Sequence, residues 1–289
     1  MGGVEELEVD VCDSDPGELP AEPTSLAGRV DSIFRKLDRR DTPGCALAVL
    51  RDDAVVYQRG YGMASLEHRI RITPETVFDI GSVAKQFAAA SILQLARQDR
   101  LSLDDDVRRW VWELPDYGPR VTIRHLLHHT SGIPDYIGLL SLAGRRSEDL
   151  STEDEALAAL SRRPQLDFTP GSRYAYSNSG YFLLSIIVRR ASGRSLREFA
   201  RENLFEPLGM KSTDYLDDHA RPVARKASSY VPASGGGFRV DQSDWEQVGD
   251  GGVQVTVLDF ARWARNFDEG TVGGLDFVRE LSTPGRFGD

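Results

Sequence analysis

The most constraining feature of this chain is a run near residue 80, where a short extended segment gives way to helical periodicity at a serine. It reads Thr76-Val77-Phe78-Asp79-Ile80-Gly81-Ser82-Val83-Ala84-Lys85, with an apolar stretch to Leu95 behind it. Phe87, Ala90, Ser91 and Leu95 fall three to four apart, and small alanines fill the faces between them, which predicts a helix from Ser82. On that helix Ser82 and Lys85 lie one turn apart and share a face. A hydroxyl beside an amine is a nucleophile beside its candidate base. The free N–H groups at a helix start also favour developing negative charge. Taken alone, S-x-x-K fits equally a serine at a helix terminus followed by a surface lysine.

A second motif lies about ninety residues downstream. In Phe168-Thr169-Pro170-Gly171-Ser172-Arg173-Tyr174-Ala175-Tyr176-Ser177-Asn178, the Pro-Gly pair marks a turn. The apolar run from Phe182 to Val188 follows. Tyr176-x-Asn178 is therefore expected in a loop just ahead of a helix, where side chains are presented rather than buried. A phenol can relay a proton, and a carboxamide can both donate to and accept from a substrate amide. The plain structural alternative is a turn tyrosine beside a helix-capping asparagine.

With these two motifs the chain resembles the serine β-lactamase and penicillin-binding protein superfamily, in its class C β-lactamase, D-alanyl-D-alanine carboxypeptidase and esterase branch. Three further segments carry the resemblance: Val121 to Tyr136, containing His125-Leu126-Leu127-His128-His129-Thr130-Ser131-Gly132; Phe168 to Leu184; and Gly251-Gly252-Val253 with the helix that follows to Phe267. Together they cover most of the span from Gly28 to Phe267. The resemblance implies an α/β chain of the α+β type, a β-lactamase/transpeptidase-like fold with a mostly helical lobe and a sheet lobe. It also implies acyl transfer: Ser82 attacks, Lys85 and Tyr176 move the proton, and Asn178 orients the acyl group. The substrate expected is a small-molecule or peptide-like amide, lactam or ester, and no cofactor is implied.

The rest of the chain bounds this reading. The formal charge of −10 is concentrated in residues 1–28, which hold eight acids and no base, so the other 261 residues carry only −2. With Pro16, Pro20 and Pro23 among few large apolar groups, residues 1–24 are expected to be a disordered acidic tail, and residues 25–289 the folded domain. A near-neutral body argues against a nucleic-acid partner. No run of eighteen apolar residues could span a membrane, and no basic and apolar leader opens the sequence. A cytoplasmic location is the default, with periplasmic or secreted left open. Cys12 and Cys45 are too few, and Cys12 too polar in setting, to imply a structural disulfide.

Ser25 is expected to cap a first helix, and Cys45 to Tyr61 to form a hairpin turning at Asp52-Asp53. Leu101 to Trp112 reads as a short helix packed by Trp110 and Trp112. His125, His128 and His129 could suggest zinc, but no H-E-x-x-H pattern or third ligand accompanies them. With Thr122 as an N-cap, structural histidines and no metal are the expectation. Capping boxes are read at Ser195 and Thr256, and a last short helix at Leu275 to Leu281.

The superfamily carries a third motif, a basic residue or His, then Thr or Gly, then Gly, on a strand bordering the cleft. No K-T-G, H-T-G or H-G-G occurs in this sequence. By the resemblance, late strands would pair with the N-terminal hairpin, so the sheet lobe is expected to be incomplete, with the hairpin's edges unpaired and its apolar face uncovered. A shortened chain and a chain completed by a partner are the two explanations. The competing functional classes are a non-catalytic scaffold of the same fold and a carboxylesterase using the same Ser82. Oligomeric state is not legible in the sequence.

Overall fold

The computed structural model describes residues 25–146 and 148–285. The acidic tail expected at 1–24 lies outside these residues. The chain divides into two units, the first ending at Lys36 and the second running from Leu37. In the first, helix α1 (Leu26–Phe34) is capped by Ser25, whose hydroxyl accepts the Gly28 N–H at 3.1 Å.

The second unit opens with β1 (Cys45–Arg51) and β2 (Ala54–Tyr61). Asp52 and Asp53 both adopt positive φ, the geometry a two-residue hairpin turn needs to match strand twist. Strands β3 (Met63–Ser65) and β4 (Ile70–Arg71) form a second small pair. Next comes β5 (Val77–Asp79), which runs into a 3-10 turn at Gly81–Ala84 and then α2 (Lys85–Arg97). A mostly helical stretch follows, with α3 (Val107–Trp110), α4 (Ile123–Leu127), α5 (Tyr136–Leu142), α6 (Glu153–Ser161), α7 (Asn178–Ser192) and α8 (Leu196–Ala200). Strand β6 (Asp214–Tyr215), the hairpin β7 (Tyr230–Pro232) and β8 (Phe238–Val240), β9 (Val253–Thr256), α9 (Val257–Glu269) and α10 (Gly274–Leu281) complete the unit.

The helical core is built around α2 and α7, which pack together. Ten consecutive residues of α7, Ser179 to Val188, are buried. A helix that is apolar around most of its circumference has to be enclosed on all sides. Gly180 permits one close approach, since a Cβ there would sit 3.0 Å from the Leu126 carbonyl oxygen of α4. Phe87 of α2 meets the Phe205 ring edge-on at 5.2 Å and the Trp263 ring at 4.7 Å. Burying an aromatic ring of this kind stabilises by roughly 1.5–3 kcal/mol, and truncating it to alanine costs about 3–5 kcal/mol.

A three-stranded antiparallel sheet in the order β5-β9-β6 joins the core to the site. All four residues of β9 are buried. Asp79 pairs with Gln254, and the Ile80 N–H donates to the Val253 carbonyl at 3.1 Å. This ladder fixes the segment entering Ser82 against the segment leaving Asp250.

The fold is the β-lactamase/transpeptidase-like α+β arrangement expected, with differences of detail. The first turn at Ser82 is 3-10, and the α-helix proper starts at Lys85. The helix within 101–112 is confined to Val107–Trp110, and Trp112 is 67% exposed, its ring covered instead by the Arg190 guanidinium at 3.7 Å. Thr256 caps α9 without completing a capping box, whereas Thr122 and Ser195 each complete one. The face of the hairpin is also less bare than expected, because α9 packs against β1. Among the described residues, β1 and β2 pair only with each other.

Candidate active site

Strand β5 delivers Gly81 at a positive φ of 50°, and the 3-10 turn then presents the Ser82 side chain on the surface. One turn on, Lys85 is buried at the start of α2. Its Nζ donates to three acceptors: Ser82 Oγ at 3.1 Å, Asn178 Oδ1 at 2.9 Å and the Asp250 carbonyl oxygen at 2.7 Å. From the opposite side, the Tyr176 hydroxyl donates to Ser82 Oγ at 2.8 Å. The four residues singled out in the sequence thus converge on one oxygen and its neighbours, although Ser82 and Tyr176 are 94 positions apart.

Asn178 opens α7 rather than preceding it. Its orientation is set by Asp135, whose Oδ2 accepts both the Asn178 N–H at 2.6 Å and the Asn178 Nδ2 at 3.0 Å. With its nitrogen committed there, the carboxamide turns its oxygen to Lys85. Asp135 Oδ1 meanwhile accepts the Ile137 and Gly138 N–H groups and so caps α5. One carboxylate therefore ties α5 to the start of α7 and aims Asn178.

Behind Tyr176 lies an aromatic wall. The His129 ring stacks on Tyr176 at 4.5 Å and 28°, meets Tyr181 at 5.1 Å and contacts Tyr174 edge-on at 5.8 Å. Its Nδ1 accepts the Ser177 N–H at 3.2 Å, which places a neutral ring's proton on Nε2. Burial first, and then the positive charge of Lys85, push the His129 pKa down to about 4. Lys85 Nζ also lies 4.9 Å above the Tyr176 ring. Neither His125 nor His129 is disposed as a metal ligand through Nδ1, because Thr122 N–H takes that atom of His125 and Ser177 N–H that of His129. Among the described residues, a Cys/His/carboxylate cluster of ligand-like spacing occurs at Asp218, His219 and Glu246 on the surface, where His219 Nδ1 is already 2.8 Å from Glu246 Oε1.

Two groups of the site carry no recognisable sequence signal. Gly249, at φ 103°, brings the chain to within a Cβ's reach (2.4 Å) of the Tyr181 carbonyl oxygen, so no larger residue fits. Asp250 follows it into the interior. The Tyr136 hydroxyl donates to Asp250 Oδ2 at 2.8 Å, while Oδ1 has no hydrogen-bond partner among the described residues. Burial pushes the Asp250 pKa up to about 6, against the lowering effects of the Tyr136 hydrogen bond and the Lys85 charge. Burial raises the Tyr136 and Tyr215 phenols far above their ordinary range, and the charge of Asp250 adds to the shift in both. Beside Asp250 opens a cavity of about 540 Å³, lined among others by Asp79, Gly81, Tyr136, Trp245, Gln247 and Asp250. Its wall is formed by the neighbours of Ser82 and Lys85 and not by those two residues.

Comparison with known proteins places this geometry in context. The sequence profile of the beta-lactamase family matches residues 30–285. The D-aminopeptidase of Gluconobacter oxydans (strain 621H) is 32% identical over 266 residues, covering 92% of this chain and 50% of that protein. The D-aminopeptidase of Brucella anthropi is 31% identical over 249 residues, covering 86% and 46%. The chain thus spans about half the length of the curated relatives it matches. Among solved structures, the octameric penicillin-binding protein homologue from Pyrococcus abyssi superposes with a TM-score of 0.79 at 31% identity, over 90% of this chain and 60% of that one. The D-amino acid amidase from Ochrobactrum anthropi SV3 gives a TM-score of 0.71 at 26% identity, over 87% and 73%. No described helix is long and apolar enough to cross a membrane.

Proposed function

The chain belongs to the beta-lactamase family, and from that premise we propose that it is a serine hydrolase forming an acyl-enzyme on Ser82, with amides of D-amino acids as its substrate class. The observation that carries this reading is Ser82 Oγ held between Lys85 Nζ at 3.1 Å and the Tyr176 hydroxyl at 2.8 Å. The named activities of similar proteins, D-aminopeptidase and D-amino acid amidase, support amides ahead of the lactams and esters that the same chemistry could open.

In this reading Lys85 reacts as the neutral amine: Ser82 Oγ bonds to the substrate carbonyl carbon, and its proton passes to Lys85 Nζ, directly or through the Tyr176 hydroxyl, so that the pair then holds one proton more. The Ser82 N–H, at the first turn of the 3-10 segment, is the donor assigned to the oxyanion. The tetrahedral intermediate collapses by breaking the C–N bond, and the amine leaves with the proton held by the pair. Water then adds to the Ser82 ester, giving one proton to the same pair, and the Ser82–acyl bond breaks as Oγ is reprotonated. Asn178, fixed by Asp135, orients the acyl group through its interaction with Lys85 and the substrate. A fluorophosphonate probe followed by peptide mass spectrometry tests the first step: an adduct on Ser82, absent from Ser82→Ala, supports it. Release of D-alanine from D-alanine amide by the wild-type chain tests the whole cycle. A folded chain that is unlabelled at Ser82 overturns the hydrolase reading and leaves a scaffold of the same fold.

A further inference from the structure

The turn that carries Ser82 is held at both ends of one peptide unit. The Ile80 carbonyl accepts the Val83 N–H at 3.1 Å, and on the other side of that unit the Gly81 N–H donates to Asp79 Oδ1 at 2.8 Å. Gly81 has a left-handed φ of 50°, and a Cβ added there would meet nothing within 4 Å. Glycine is the residue freest to leave such a conformation. With open space around it, hydrogen bonds and not packing have to keep the turn in shape.

Asp79 is itself anchored. Its Oδ2 accepts the Gln254 Nε2 at 2.8 Å, and the two residues stand directly opposite each other on β5 and β9. Cross-strand partners of this kind lie within side-chain reach. Gln254 is 2% exposed, on a strand whose four residues are all buried, so its amide is a fixed support. An ionised carboxylate only accepts, and here each oxygen meets one donor. One side chain thus ties the backbone just ahead of the nucleophile to the interior of the sheet. The next residue along is Ser82, whose N–H is the donor assigned to the oxyanion.

We propose that Asp79 is a positioning residue for acyl transfer, clamping the Gly81 N–H to the Gln254 side chain so that Ser82 is presented in line with Lys85 and Tyr176. It acts through Gly81 and not on the substrate. The inference rests on the hydrolase reading for its effect on rate, and a second readout needs no turnover. Asp79→Ala removes both acceptors, whereas Asp79→Asn keeps an oxygen for Gly81 and lets the Gln254 amide turn to accept from the new nitrogen. Gln254→Glu sets two carboxylates against each other, and Asp79→Asn combined with Gln254→Glu restores a donor facing an acceptor. Fluorophosphonate labelling of Ser82 is expected to slow about 10–100-fold in Asp79→Ala and in Gln254→Glu, and to stay within about fivefold of wild type in Asp79→Asn and in the double variant. On D-alanine amide the loss should fall on kcat, with KM changed less than about threefold, a split that a general loss of structure would not give. Hydrogen exchange at the Gly81 amide, read by NMR, should quicken at least about tenfold in Asp79→Ala while the β9 amides stay protected. The Ala and Asn pair and the Gln254→Glu and double pair each decide the question alone, so misfolding of one variant leaves the other comparison standing. Unchanged labelling and unchanged Gly81 exchange in Asp79→Ala, or no recovery in either Asn-bearing chain, overturns the proposal. Quickened Gly81 exchange in a protein whose wild-type Ser82 is never acylated keeps the clamp and removes the hydrolase reading, whereas a labelled wild type with indifferent variants removes the clamp alone.

Discussion

The imidazole of His129 lies flat against the phenol ring of Tyr176, 4.5 Å away and tilted by only 28°. The same residue holds the backbone one position further on through the Ser177 N–H. It does this from a left-handed backbone conformation, φ 56°, which is uncommon for a non-glycine residue. On the proposed chemistry His129 is a positioning residue, since it stacks on the ring whose hydroxyl donates to Ser82 Oγ.

Removing the stack should therefore lower the rate without weakening substrate binding. His129→Ala is expected to reduce kcat by about 10–100-fold, the scale of an ångström-sized misplacement of a catalytic group, with KM changed less than threefold. His129→Phe, which keeps a ring but loses the Nδ1 acceptor, should fall between Ala and wild type. Steady-state kinetics on D-alanine amide measure both, and an increase in KM at constant kcat would contradict the positioning role.

Lys85 and Tyr176 should behave as one unit. Lys85→Met and Tyr176→Phe are each expected to slow acylation of Ser82 by about a thousandfold, and the double variant by little more than the worse single. Stopped-flow labelling with a fluorophosphonate reads this directly. Additive losses would mean that the two residues serve separate steps.

The half-buried imidazole gives stability a definite pH dependence. Its folded pKa of about 4 lies below the usual 6.5, so between those values the unfolded chain binds more protons than the folded one. The contribution is intact above pH 6.5 and is lost as pH falls through about 4. Allowing for its partial exposure, on the order of 2 kcal/mol is at stake. Urea melts at pH 7 and pH 4.5 should separate wild type from His129→Phe, with the wild type losing more on acidification.

Asp250 carries the opposite sign. Its folded pKa of about 6 is raised above 3.8, so its favourable term is present below pH 3.8 and is lost as pH rises through about 6. The groups facing it are Lys85 from α2, Asp135 and Tyr136 at the start of α5, and Tyr215 from β6. Asp250→Asn is expected to be more stable than wild type at pH 7.5 by roughly 2 kcal/mol, with the gap closing near pH 4. Equal thermal stability of the two across that range would show that the carboxylate is better solvated than its surroundings imply.

Asp135→Ala should cost both structure and function. Losing the cap of α5 removes about 1 kcal/mol, which lowers Tm by a few degrees in a chain of this size. Freed from Asp135, the Asn178 carboxamide can turn, so activity is expected to drop about tenfold or more. Asp135→Asn retains an acceptor for the cap and should recover the melting temperature ahead of the activity.

The sequence made the serine–lysine spacing legible because a local helical repeat places i and i+3 on one face, and that held even though the turn proved to be 3-10. The hairpin at Cys45 to Tyr61 and the caps at Thr122 and Ser195 were legible for the same reason, since each depends on residues a few positions apart. The meeting of Tyr176 with Ser82 followed only from resemblance, because no local rule connects residues 94 apart. Asp135 fell unremarked inside the segment Val121 to Tyr136: its cap of α5 is local, but its hold on Asn178 depends on where α7 begins. Asp250, between glycines, gave no signal at all: the Tyr136 hydroxyl that meets its carboxylate comes from a residue 114 positions away. Trp112 misled because a large aromatic ring reads as core, whereas here Arg190 covers it at the surface.

The short ladder between β5 and β9 has one more consequence. Because Asp79 pairs with Gln254 and the Ile80 N–H is tied to the Val253 carbonyl, the strand entering Ser82 and the strand leaving Asp250 are held in one register and not by a pliable loop. Lys85 Nζ bridges the two sides of that register, from Ser82 Oγ to the Asp250 carbonyl oxygen. A slip of one residue between the strands should therefore part the lysine from one of these two partners.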